Sequence, residues 1–131
     1  MLTIHNERDI EVTRGDGFPL TIINDNPIDG TPQPFVVGDK LRLKVMERKN
    51  CDNIVLEMDF EVTEETDEFD IWIPSSKTKI GEIISRPVEY WYEIELNPDT
   101  ERANTIMGYT KKLGAPLFIL TPEGGKKNDS N

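Results

Sequence analysis

Pro87-Val88-Glu89-Tyr90-Trp91-Tyr92-Glu93-Ile94-Glu95-Leu96-Asn97-Pro98 is the stretch whose reading decides the fold. Val88, Tyr90, Tyr92, Ile94 and Leu96 share one side of a period-two pattern, and Glu89, Trp91, Glu93 and Glu95 share the other. Such alternation predicts a half-buried strand. Aromatic and β-branched residues suit a pleated surface. The flanking prolines cannot donate to a sheet ladder and so bound the strand. Tyr92 falls at the centre of the inward face, where its hydroxyl requires a backbone carbonyl or a turn as acceptor. Trp91 breaks the polarity of the outward face, and an indole among glutamates marks a candidate contact surface.

The same period recurs outward from this strand. Leu41, Leu43 and Val45 face one way and Lys40, Arg42 and Lys44 the other. After a polar turn at 48–53, Ile54, Leu56, Met58, Phe60 and Val62 alternate with Val55, Glu57, Asp59 and Glu61. A hairpin is expected, with the basic row opposite the acidic one at roughly 0.2–1 kcal/mol per pair. Residues 9–13 and 18–23 read as two strands joined by the turn Arg14-Gly15-Asp16-Gly17, with Pro19 at a sheet edge or strand start. Residues 24–34, dense in Pro, Asn and Asp, form a loop. Phe69, Ile71 and Ile73 make a short strand with Asp70 and Trp72 on its other side. In 75–84, Ile80, Ile83 and Ile84 change the period to that of a helix, predicting one or two turns capped by Ser75 or Ser76. Strands at 105–111 and 115–120 close the pattern. The expectation is an all-β fold, a single antiparallel, Ig-like β-sandwich of about seven to eight strands with one short helical turn. It spans residues 1–121, with a disordered tail at 122–131.

Composition narrows the classes of function. At 131 residues the chain has the size of one domain. With 25 acidic against 15 basic residues its formal charge is −10, which repels phosphate backbones and anionic bilayers, so neither nucleic acid nor membrane is an expected partner. A lone cysteine, Cys51, excludes an internal disulfide and points to synthesis in a reducing cytoplasm. The N-terminus lacks the basic and apolar regions of a secretion signal.

His5 is the only histidine and lies in a lead expected to be mobile, so a Ser-His-Asp or Cys-His arrangement is disfavoured. Cys51 has no second cysteine or histidine beside it with which to make a zinc or redox site. Glu64, Glu65, Asp67, Glu68, Glu89, Glu93 and Glu95 read as a solvated acidic surface. Asn24, Asp25, Asn26 and Asp29 lack the spacing of a calcium loop and read as turn formers. Arg14-Gly15-Asp16 is read as a tight turn rather than an integrin-type motif. No catalytic residue, cofactor site or metal site is assigned. The interface candidates are Trp72, Trp91, Pro19 and Pro34, the last closing the proline-rich loop.

A family resemblance adds to this reading. Arg14-Gly15-Asp16 before an alternating strand, Gly38-Asp39-Lys40-Leu41-Arg42-Leu43-Lys44-Val45, Ile54-Val55-Leu56-Glu57-Met58-Asp59-Phe60, the 75–84 turn and Tyr90-Trp91-Tyr92-Glu93-Ile94-Glu95-Leu96 follow in a set order. Asn104-Thr105-Ile106 and Leu117-Phe118-Ile119-Leu120 complete it. The series resembles the N-terminal β-sandwich domain of baseplate and tail-associated proteins of phages and prophages of Gram-positive bacteria, including upper baseplate proteins that hold receptor-binding proteins. It departs from them at Arg86-Pro87, where a glycine is usual, and at Glu93, where an aspartate is usual. The resemblance implies a non-enzymatic virion protein, made in the bacterial cytoplasm, without cofactor, attached to other tail subunits and able to form a homo-oligomer. The alternative is a carbohydrate-binding module, which requires Trp72 and Trp91 on one face.

Overall fold

A computed structural model describes residues 2–5, 7–25, 30–31 and 33–123. Its strands are β1 (Leu2–His5), β2 (Asp9–Thr13), β3 (Phe18–Ile22), β4 (Lys40–Met46), β5 (Ile54–Glu61), β6 (Phe69–Ile73), β7 (Val88–Leu96), β8 (Asn104–Met107) and β9 (Leu117–Thr121), with a 3-10 turn at Ser75–Thr78. β7 is the central strand bounded by the two prolines, and its Tyr92 and Ile94 are each 4% exposed on the inner face. β4 pairs along one flank of β7, from Leu41↔Leu96 to Met46↔Trp91. The other flank is divided between β9, from Val88↔Leu120 to Trp91↔Leu117, and β8, from Ile94↔Met107 to Leu96↔Asn104.

The large sheet runs β1-β2-β9-β7-β4-β5, and β3-β6 make a second, smaller sheet. In an Ig-type sandwich strands G, F, C and C′ are neighbours in one sheet and B and E in the other; β9-β7-β4-β5 and β3-β6 take those positions. The fold is therefore an all-β sandwich. Among the described residues the strands number nine rather than seven or eight. One pairing is not antiparallel: β2 runs parallel to β9, from Ile10↔Phe118 to Thr13↔Thr121, which is open to strands remote in sequence that need no tight turn between them. The sheets meet through Phe18 of β3 and Phe118 of β9, both fully buried with ring centroids 6.1 Å apart.

The β4–β5 hairpin has the anticipated register, with Lys40↔Glu61, Arg42↔Asp59 and Lys44↔Glu57. The end of Lys44 departs from it. Its ammonium turns to Glu93 (3.2 Å) and Glu95 (3.4 Å) on β7 instead of Glu57, because two carboxylates flank it on the central strand.

Arg14-Gly15-Asp16-Gly17 does not close a hairpin. β2 and β3 lie in different sheets, and the segment carries the chain across. Gly15 has φ +89°, and a Cβ on Gly17 would stand 2.9 Å from the Trp72 ring and 3.0 Å from the Ile73 carbonyl oxygen. Arg14 is buried: its Nε donates to the Ile80 carbonyl (3.1 Å), Nη2 to the Gly81 carbonyl (2.6 Å) and Nη1 to Glu123 (2.6 Å).

These bonds account for a further correction. The helix expected to run through Ile84 stops at Thr78 without a side-chain cap, since the Ile80 and Gly81 carbonyls turn to the guanidinium and Gly81 adopts φ +66°. Ile80 is buried while Ile83 is exposed. Just past β9, half-buried Glu123 pairs with Arg14, and 124–131 of the expected tail lie outside the described residues. The lead expected to be mobile is β1, paired with β2 from Leu2↔Val12 to His5↔Asp9.

Tyr92 fills the core, and its hydroxyl donates to the Arg8 carbonyl. In urea denaturation at neutral pH, Tyr92→Ala is expected to cost about 3–5 kcal/mol through the cavity it leaves. Tyr92→Phe removes one hydrogen bond and is expected to cost about 1 kcal/mol. Arg14→Ala leaves Glu123 and two carbonyls without their donor, for an expected loss of about 3 kcal/mol.

Candidate functional site

The outer face of the large sheet divides into a charged half and an apolar half. In the charged half Arg42 reaches Asp59 (2.8 Å) and Asp99 (3.0 Å), while Lys44 reaches Glu93 and Glu95. Hydrogen bonds donated to Asp59 and then to Asp99 raise the Arg42 pKa above its ordinary value. The Arg42 guanidinium in turn holds the Asp59 carboxyl below the usual carboxylate value. Burial works against the Lys44 charge, but Glu93 and Glu95 outweigh it and raise its pKa. In this half of the face Arg42 and Lys44 are each held by more than one carboxylate, so the carboxylates are in excess.

The ladder ends at Trp91. Alternation puts this indole outward, between Met46 of β4 and Leu117 of β9 in the ladder. It is half-buried and forms a ridge between two hollows. On one side Met46, Trp91, Glu93, Tyr109, Gly114 and Ala115 line a depression of ≈ 290 Å³. On the other, Glu47, Arg48, Lys49, Glu89 and Tyr90 line one of ≈ 540 Å³, crossed by an Arg48–Glu89 ion pair of 2.5 Å.

The β8–β9 connection builds the first hollow. Thr110 and Gly114 exchange backbone hydrogen bonds (3.1 and 2.8 Å), and Gly114 takes φ +73°, so 110–114 form a closed turn. Tyr109 is 75% and Leu113 62% exposed on it. The Arg8 guanidinium donates to the carbonyls of Gly108 (3.0 Å), Leu113 (3.3 Å) and Gly114. The Arg8 carbonyl accepts from the Tyr92 hydroxyl, and the Tyr92 N–H donates to the Pro116 carbonyl (3.1 Å). Burial, with a smaller contribution from Asp9, raises the Tyr92 phenol well above its ordinary value, so it remains a donor at neutral pH. A core tyrosine and a surface arginine thus hold the turn that sets Tyr109 beside Trp91.

Sequence reasoning missed Arg8, Tyr109 and Leu113. Gly108 and Gly114 bracketing Lys111 and Lys112 were the turn signal that divides this segment, which the alternating pattern assigned to a strand. For Arg8 no local signal exists.

The four expected interface residues do not converge. Trp72 and Pro19 pair in register on the outer face of the small sheet, where Trp72 is 59% exposed and its ring packs over Gly17. Since Ile71 and Ile73 point into the core as Tyr92 and Ile94 do from the other sheet, Trp72 and Trp91 stand on opposite outer faces of the sandwich. Pro34 is exposed in the loop, next to Phe35, which pairs with Thr66 at the far end of the small sheet from Trp72. His5 meets Glu11 at 3.0 Å, and Cys51 is exposed in the β4–β5 turn. Asn26 and Asp29 of the loop lie outside the described residues.

Two measurements probe this face. Arg8→Ala is expected to speed amide hydrogen exchange through 108–116 while the large sheet stays protected, since it removes donors to three carbonyls of the turn. Asp59 has its folded pKa below the ordinary 3.8, so its contribution is present above that value and lost as pH falls through the folded one. For this largely exposed pair, Asp59→Asn is expected to lower stability by about 0.2–1 kcal/mol at pH 7, with the difference disappearing in chemical denaturation only as pH falls below the folded value. Compared with protein-family models, curated proteins and solved structures, the chain finds no match.

Proposed function

We propose that this chain is a structural protein of a phage or prophage tail or baseplate, residing in the virion, that works by protein–protein assembly rather than catalysis. The observation that carries the assembly reading is the Trp91 platform. Trp91 and Met46 present apolar surface beside Tyr109, which is carried next to a turn that Arg8 already immobilises, so a partner docks without having to order it. Aromatic anchors of this kind, set in a polar surround, dominate the energetics of protein interfaces. The tail setting rests on the resemblance of strand order and segment sequence. Other tail subunits, and further copies of the chain, are the partners it implies.

Trp72 and Pro19 supply a second exposed patch on the opposite face, which suits a subunit held between two neighbours. The carbohydrate-binding alternative needed both indoles on one face, and their separation on opposite sheets removes its basis.

Mass spectrometry of tailed particles purified from an induced host is expected to detect the chain at a fixed copy number. Its absence from such particles would overturn the virion reading. The double substitution Trp91→Ala, Tyr109→Ala is expected to leave the melting temperature within a few degrees, because both side chains lie outside the core, yet to abolish incorporation. Incorporation at the normal level would remove the platform from the account.

A further inference from the structure

We infer that the free edge of β5 is a strand-docking site whose partner is an extended segment with basic and apolar residues in alternation. β5 ends the large sheet, and among the described residues its only strand partner is β4. At 8 residues it is long for an edge, and an unpaired edge offers its backbone N–H and C=O groups to any strand of matching register. The edge also retains apolar surface. Inward-facing Met58 and Phe60 are only half-buried against the core. An added strand would bury this row as β4 buries the row beside it.

Charge chooses the occupant. Glu57, Asp59 and Glu61 stand exposed on the outward side of β5. On its paired side β5 already accepts a strand of the required kind, with Lys40, Arg42 and Lys44 opposite those carboxylates. The pairing leaves negative charge over, because the Lys44 ammonium is drawn off to Glu93 and Glu95 of β7 and the single Arg42 guanidinium is shared among Asp59, Asp99 and, at 3.7 Å, Glu57. Basic residues at alternate positions of an incoming strand would meet that surplus.

A second copy of β5 does not qualify. In an antiparallel β5–β5′ pair with inward faces aligned, a two-fold axis at residue 57 or 59 sets a carboxylate against its own copy. An axis at residue 58 sets Glu57 against Asp59, and one at 60 sets Asp59 against Glu61. A one-residue slip exchanges the buried and exposed faces. Like charges directly opposite are destabilising, so the edge disfavours itself in the registers centred on 57–60, and those centred on 55 or 56 pair only its N-terminal half, while the whole edge remains open to a basic strand. This surface is separate from the Trp91 platform, and neither inference requires the other.

The probe is a capped, fluorescent peptide copying β4, Lys-Leu-Arg-Leu-Lys-Val-Met, beside a scrambled peptide of the same composition, titrated against the whole chain by anisotropy at low salt. Saturable binding of the β4 copy is expected, about tenfold weaker for the scrambled peptide and for the Glu57→Lys, Glu61→Lys variant. Circular dichroism checks that the variant is folded. Hydrogen exchange on the unsubstituted chain provides the readout that needs no variant, and slowed amides confined to 54–61 are expected. Equal binding of both peptides, no binding up to about 1 mM, unchanged affinity in the folded variant, or protection centred on 108–116 would each overturn the inference. So would a dimer in sedimentation that Glu57→Lys abolishes.

Discussion

The hydrogen bond from the Tyr92 hydroxyl to the Arg8 carbonyl ties the core to the surface. A phenol buried between two sheets must find an acceptor, and in this sandwich that acceptor is the backbone at the β1–β2 turn. With Arg8 fixed by its carbonyl, its guanidinium lies within reach of the β8–β9 turn and takes up carbonyls there that would otherwise need water. Tyr92 holds the other end of the same connection through its N–H and the Pro116 carbonyl. The position of Tyr109 beside Trp91 therefore follows from satisfying one core hydroxyl.

A second buried polar group organises the other side of the molecule. Arg14 at the end of β2 binds the carbonyls after the 3-10 turn and the carboxylate of Glu123 after β9. Close by, the fully buried Thr78 hydroxyl accepts from the Gly15 N–H (2.9 Å) and lies 2.9 Å from the Asp16 carbonyl. The segment that crosses between the sheets is thus held by side chains from elsewhere in the chain instead of by a ladder of its own. A polar group that leaves water must be fully paired, and this requirement outweighs the weak helical preference of an isoleucine-rich segment.

Charge is distributed by the same logic. With a formal charge of −10 the chain has carboxylates to spare, and the strands nearest its centre carry the cations that neutralise them: Arg42 and Lys44 on β4 serve both β5 and β7. Neutralisation weakens toward the periphery. The acidic edge at β5 keeps its character because the β4 cations opposite it are shared with Asp99, Glu93 and Glu95.

Much of the strand content was legible in the sequence, since a period of two relates each residue to its nearest neighbours and needs no knowledge of the rest. The inward set of β7, the outward position of Trp91, the edge position of Pro19 and the β4–β5 register all follow from such local relations, the last because a hairpin turn and matched charges constrain it. Assignment of strands to sheets was not legible. Alternation says which face of β2 and β3 is apolar but not whether they pair with each other, and burying both apolar faces required the chain to cross at Gly15 and Gly17. The parallel contact of β2 with β9, the Arg14–Glu123 pair and the hold of Arg8 on the β8–β9 turn join residues some 100 positions apart. No local pattern encodes those contacts, because each exists only after the sheets have closed and a buried polar group has taken the nearest acceptor. The sequence by itself determined a β-rich chain with an outward indole; only tertiary packing decided which surface that indole shares, and with what.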